Sequence, residues 1–171
     1  MASRALFLDR DGVICESIGD YLTRWEEFKL LPGIRELISA AKIKNHLVIA
    51  VTNQPQVAKK LLPEKDLIII HKKMQDLLNN ALDKIYYCPH IDADNCDCRK
   101  PKAGMLFQAQ KELEIDLKSS TMVGDGDKDI LAGERAGCRT IFIRNKFKKH
   151  LLNNCRPDLV VDNLIEAIAA L

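Results

Sequence analysis

The chain has 171 residues, 47% of them apolar and 29% charged, with a net charge of +2. That length suits one domain with a substantial core, and the composition is globular rather than disordered. A near balance of 26 basic and 24 acidic residues excludes a broad nucleic-acid footprint, and no apolar run approaches the roughly 20 residues of a membrane-spanning helix.

Residues 5–8 read as a buried strand. A helix follows over 32–45, with Ile34, Leu37, Ile38 and Ala41 on one face and Pro32 in its first turn. Residues 47–51 form a second strand. The longest helix is predicted over 63–82, striped by Leu67, Ile70, Met74, Leu77, Leu78 and Ala81. Residues 85–87 are a third strand and 103–113 a helix. Then come a strand over 121–123, a helix over 128–136 closed by Gly137, and a strand over 140–143. A last strand covers 159–161, and a C-terminal helix starts at Asn163, with Asp158 and Asp162 as turn and cap residues. Continuous apolar strands alternating with helices predict an α/β fold: a Rossmann-like parallel sheet with helices on both faces, spanning residues 1–171 as one domain. Such sheets take their ligands outside the carboxyl ends of the strands.

Three strands stop at polar residues on that edge. The first ends in Asp9-Arg10-Asp11-Gly12, the second in Thr52-Asn53-Gln54, and the fourth in Gly124-Asp125-Gly126-Asp127-Lys128-Asp129. Residues two apart on extended chain face the same way, so Asp9 and Asp11 can share a site. With Asp125 they make a hard oxygen cage suited to Mg²⁺, which would relieve the repulsion between them.

Six cysteines could pair as three disulfides, but Cys88, Cys96 and Cys98 crowd around His90, a pattern metal ligation explains better. Cys88, His90, Cys96 and Cys98 give a Cys₃His set for tetrahedral Zn²⁺, with no coordination position left open, so a structural zinc is expected. Cys98 runs directly into Arg99-Lys100-Pro101, and a pinned metal loop would fix the backbone beside Lys100. Cys15, Cys138 and Cys155 are scattered and read as small packing residues. His46 and His71 lack metal-ligand spacing and are expected at the surface. Lys146, Lys148, Lys149 and His150 read as a solvated basic loop. Met1-Ala2-Ser3-Arg4 runs straight into a strand without a leader pattern, and a cytoplasmic location is expected.

Leu8-Asp9-Arg10-Asp11-Gly12, Thr52-Asn53, Lys100 before Pro101, and Gly124-Asp125 through Asp129 together resemble the four ordered motifs of haloacid-dehalogenase-type phosphatases. The resemblance implies Asp9 as the nucleophile that takes up a phosphoryl group, and Asp11 as the acid and later the base. It implies that Thr52 and Lys100 hold the transferred group. Asp125, the Asp9 carboxylate and the Asp11 backbone carbonyl would bind Mg²⁺, with Asp129 in support. Cys-Pro-His through Cys-Asp-Cys-Arg-Lys-Pro is similar to the zinc loop of one subgroup, the heptose-bisphosphate 7-phosphatases and the phosphatase half of histidinol-phosphatases. Arg99, Tyr21, Asn53 and Gln54 would then contact substrate, and the absence of a large cap would leave the site open. The resemblance implies a monomeric phosphomonoester hydrolase using Mg²⁺ and Zn²⁺ on a sugar phosphate, heptose bisphosphate first and histidinol phosphate second, without nucleic-acid or membrane partners. A phosphate-binding protein on a dead scaffold would lack a nucleophile or metal carboxylate, and a receiver domain would not explain Asp11 or the zinc loop.

Overall fold

The computed structural model describes residues 2–145 and 155–171, so the basic loop at Lys146 to His150 lies outside the described residues. The strands are β1 (Arg4–Leu8), β2 (His46–Asn53), β3 (Lys84–Cys88), β4 (Thr121–Gly124), β5 (Arg139–Ile143) and β6 (Leu159–Val161). The helices are α1 (Ile34–Ile43), α2 (Glu64–Leu77), α3 (Gly104–Leu113), α4 (Asp127–Ala136) and α5 (Leu164–Ile168). The strands pair in parallel in the order β3-β2-β1-β4-β5-β6.

The apolar strand runs are explained by two covering layers. In β1, Leu6 and Leu8 pack into the layer of α1, α2 and α5, whereas Ala5 and Phe7 enter the layer of α3 and α4. Each fully buried side chain of this size contributes about 1.5–3 kcal/mol. The chain leaves β1 for β2 on one side of the sheet, while β4 flanks β1 on the other. A crevice therefore opens where the carboxyl ends of β1 and β4 meet, the switch point at which such sheets bind ligands. Among the described residues, no second sheet or helical cap stands over that edge, and no helix is long and apolar enough to cross a membrane.

Three expectations need correction. The second long helix ends at Leu77, not at 82, because the chain turns through Asn79 and Asn80, both at positive φ. Leu78 and Leu82 reach the core from that turn, Ala81 packs against it half-buried, and Leu77 is exposed. His46 and His71 are both buried rather than at the surface. Each keeps the periodicity of its element: His46 shares the strand face of Val48 and Ala50, and His71 falls between Leu67 and Met74 on the inner stripe of α2. The cysteines are all unbridged, with Cys15 and Cys138 buried and Cys155 half-buried.

Candidate active site

Asp9, the expected nucleophile, is the first residue beyond β1. Asp9 N–H donates to Val123 O of β4 at 3.1 Å, which anchors the strand end to its neighbour. Two glycines let the acidic residues close up. Gly12 sits at φ +94°, and a Cβ there would lie 1.9 Å from Asp125 Oδ2; one on Gly124 would lie 2.0 Å from Asp129 Cβ. As a result one oxygen from each of Asp9, Asp125 and Asp129, all three buried, comes within 4.8 Å of the others. The Asp11 carboxylate is not in this group.

Lys100 is the countercharge. Its side chain is 2% exposed, and Nζ donates to Asp9 Oδ1 (2.9 Å), Asp129 Oδ1 (2.6 Å) and Val51 O (2.7 Å). Asp129 Oδ2 accepts from Gly126 N–H at 3.1 Å, so both of its oxygens are engaged. Asn145 Nδ2 donates to Asp125 Oδ2 at 2.7 Å. Burial, then the charge of Asp129, push the Asp9 carboxyl up to about 7, although Lys100 pulls it down. Lys100 itself is held above the ordinary lysine range: burial opposes its charge, but Asp129 and Asp9 outweigh it. Asp9, Asp125 and Asp129 thus bring three buried carboxylates together. An all-oxygen acidic donor set of this kind fits a hard divalent cation such as Mg²⁺.

Asp11 sits in a separate clamp. Arg10 Nη2 donates to both of its oxygens at 2.9 Å, and Arg10 Nε donates to Oδ1 at 3.1 Å. Gln54 Nε2 donates to Asp11 Oδ2 (3.0 Å) and to Thr52 Oγ1 (2.8 Å). Gln56 Nε2 in turn donates to Gln54 Oε1 at 2.5 Å. Thr52 Oγ1 thus receives a hydrogen bond and keeps its own hydrogen to donate. Burial favours the neutral acid at Asp11, but the Arg10 charge and these hydrogen bonds outweigh it and lower its pKa.

The cysteine loop begins at the end of β3 and returns to the site at Lys100. Cys88 Sγ lies 3.6 Å from Cys96 Sγ and 3.5 Å from His90 Nδ1; Cys98 Sγ lies 3.4 Å from Cys96 Sγ and 3.3 Å from His90 Nδ1. Tetrahedral zinc with Zn–S and Zn–N bonds of ordinary length requires edges of about 3.8 Å between sulfurs and about 3.6 Å from sulfur to nitrogen. These four edges run about 0.1–0.4 Å short of that, and all four donor atoms lie within 4.8 Å of one another, so the set fits a tetrahedral ion. Asn53 spans loop and sheet: Nδ2 donates to Lys100 O at 2.9 Å and Oδ1 accepts Lys100 N–H at 3.0 Å. Arg99 is held by Asp92 Oδ1 (2.6 Å) and His90 O (3.1 Å).

A cavity of about 420 Å³ opens onto Asp9, Asp11, Lys100, Arg99, Tyr21 and Lys128. The Tyr21 hydroxyl on its rim accepts from Lys59 Nζ at 2.7 Å. Thr52 and Gln54 are fully buried behind the cavity.

Similarity to known proteins agrees with this geometry. The HAD-hydrolase-like family model matches residues 97–167. The chain is 39% identical over 155 residues to a D-glycero-alpha-D-manno-heptose-1,7-bisphosphate 7-phosphatase of Campylobacter jejuni, covering 87% of each chain. It is 35% identical to the D-glycero-beta-D-manno-heptose-1,7-bisphosphate 7-phosphatase of Haemophilus ducreyi, covering 98% of both. The chain belongs to the haloacid-dehalogenase-like phosphatases. A crystal structure of D,D-heptose 1,7-bisphosphate phosphatase from B. bronchiseptica, complexed with magnesium and phosphate, superposes on this phosphatase with a TM-score of 0.88. It is 29% identical, with 98% of this chain and 97% of that one covered.

Sequence reasoning missed three parts of the phosphatase site. Asn145 lies just past β5, where the rule about carboxyl strand ends could have found it. Gln56 follows Gln54 at a spacing of two, and Arg10, within the first motif, had no role assigned to it.

Proposed function

We propose that this phosphatase removes the 7-phosphate of D-glycero-D-manno-heptose 1,7-bisphosphate through a phosphoryl group carried on Asp9. The observation that carries the reading is the convergence of Asp9, Asp125 and Lys100 on one crevice, beside a clamped Asp11, in a chain similar along most of its length to phosphatases of that substrate.

An Asp9 carboxylate oxygen attacks phosphorus, and the bond from phosphorus to the sugar oxygen breaks. The departing oxygen keeps the bonding pair and takes a proton from the Asp11 carboxyl, whose acidic form is favoured against the pull of Arg10 by burial and by the negative charge of the arriving phosphate. Water then attacks the aspartyl-phosphate and gives a proton back to Asp11, which frees Asp9 and inorganic phosphate. Thr52 Oγ1–H and the Lys100 ammonium hold the oxygens of the transferred group. Gln54 orients the Thr52 hydroxyl beforehand, and Asp129 and Val51 O orient the Lys100 ammonium, so little reorganisation is needed during reaction. Asp9, Asp125 and the Asp11 backbone carbonyl would hold Mg²⁺, which supplies positive charge to the non-bridging phosphoryl oxygens. Cys88, His90, Cys96 and Cys98 would hold Zn²⁺ with no open position, a structural role that fixes Arg99 and Lys100. Arg99, Lys128 and Tyr21 line the rim available to the rest of the substrate.

Mg²⁺-dependent phosphate release across sugar phosphates and histidinol phosphate tests the assignment. The heptose bisphosphate should lead histidinol phosphate in kcat/KM by about tenfold or more and lose only one phosphate. A preference for histidinol phosphate, or release from position 1, would overturn it.

A further inference from the structure

Arg10 is fully buried, yet its guanidinium is not used up by Asp11. Nε and Nη2 face the Asp11 carboxylate, while Nη1 points the other way and lies 3.3 Å from Nε2 of His71 on α2. A guanidinium only donates and does not give up its proton at any ordinary pH. The Nε2 facing it must therefore present a lone pair, which makes His71 a neutral ring protonated on Nδ1. A protonated His71 would bury two cations in contact. The ring is itself held: its centroid lies 5.5 Å from that of Tyr87 of β3 in an edge-to-face contact at an interplanar angle of 60°. Tyr87 Oη donates to Glu64 at the start of α2 at 2.9 Å. The helix, the outer strand and Asp11 are thus joined through one guanidinium gripped on both sides.

We propose that His71 is a positioning residue for the proton transfer of this reaction. It fixes the plane of Arg10, which in turn holds the Asp11 carboxyl in the orientation that meets the departing oxygen. The proposal rests on Asp11 being the proton donor. His71 lies behind Arg10, lines none of the site cavity and is 6% exposed, so it acts without touching substrate. Losing it frees Arg10 to rotate about the Asp11 contacts, and misplacement of a catalytic group by about 1 Å costs on the order of 100-fold.

The test compares wild type, His71→Phe and His71→Gln in single-turnover phosphoryl transfer, using monoesters whose leaving groups range from a sugar alcohol to 4-nitrophenol. Nitrophenolate departs without a proton, so it needs no donor. His71→Phe keeps the ring but removes the acceptor. It should slow transfer from the sugar phosphate by about 10- to 100-fold, leave KM nearly unchanged, and slow transfer from 4-nitrophenyl phosphate less than about threefold. His71→Gln, whose amide oxygen can accept from Arg10, should recover most of the loss. Equal losses on both esters, or none on either, would overturn the proposal. Histidine ¹⁵N spectra of the unaltered enzyme provide a readout independent of any variant's folding: His71 should carry its proton on Nδ1, and a proton on Nε2 contradicts the arrangement. If wild type itself transfers no phosphoryl group from either ester, the reading of the whole site fails, irrespective of His71.

Discussion

The crevice at β1 and β4 and the cysteine loop that leads into it are built on opposite principles. In the crevice the charged groups are answered by other side chains: Lys100 by Asp9 and Asp129, Asp11 by Arg10 and Gln54, Arg10 by His71. The loop has a short exposed path, three thiols and an imidazole at tetrahedral spacing, and outer contacts such as Arg99 to an exposed Asp92. The crevice is stable because the sheet enforces it, so its charges depend on one another. The loop instead gathers four donors that a metal would tie together. Changes in the crevice should therefore cost stability and rate together, and changes in the loop should cost rate with little effect on the sheet.

Lys100→Met is the most damaging test of that contrast. It leaves Asp9 and Asp129 as unpaired buried charges, with an expected stability loss of about 3–5 kcal/mol without Mg²⁺ and a fall in kcat of about 100- to 1,000-fold. Urea melts with and without Mg²⁺ check the first, and phosphate release checks the second. Cys96→Ser should remove zinc from the purified protein and lower activity by about 10- to 100-fold, while the main unfolding transition moves far less than for Lys100→Met. A collapse of the whole transition would erase the distinction between the two regions.

His71 gives the crevice a pH signature in stability. Burial, followed by the Arg10 charge, lowers its pKa to about 3 from an ordinary value of 6.5. Between those values the unfolded chain binds a proton that the folded chain refuses, so stability rises with pH across the window and falls as the solution is acidified through it. The full effect is on the order of a few kcal/mol. Denaturant titrations at pH 7 and pH 4 should show a smaller drop for His71→Phe than for wild type. Asp92→Asn, at the exposed end of the loop, should be the mildest change. It should raise KM a few-fold at most, through a looser Arg99, and leave the melting temperature in place.

Much of this was legible in the sequence, for a physical reason. Strands covered on both faces must be apolar, so the residues where apolarity stops mark the reactive edge, and Asp9, Thr52 and Asp125 stood out there. The Cys₃His cluster was legible because sulfur and imidazole at short spacing have few other uses than metal ligation. The Arg10–His71 contact was not, because it joins residues far apart in the chain that meet only in the folded molecule. His71 did occupy the inner stripe of α2, at the spacing of Leu67 and Met74, but a polar residue there looks like a gap in the pattern. The end of α2 was misread because Leu78 and Ala81 continue a helical spacing through a turn made by Asn79 and Asn80. Asn53 and Gln54 were expected on substrate; their hydrogen bonds run to the Lys100 backbone and to Thr52 and Asp11.

The most direct test of the central claim is to trap the phosphoryl group. Rapid acid quench of the enzyme with Mg²⁺ and heptose bisphosphate, followed by borohydride reduction and peptide mass spectrometry, should mark Asp9 and no other residue, with Asp9→Asn unmarked. A label on another side chain, or full turnover by Asp9→Asn, would contradict the account.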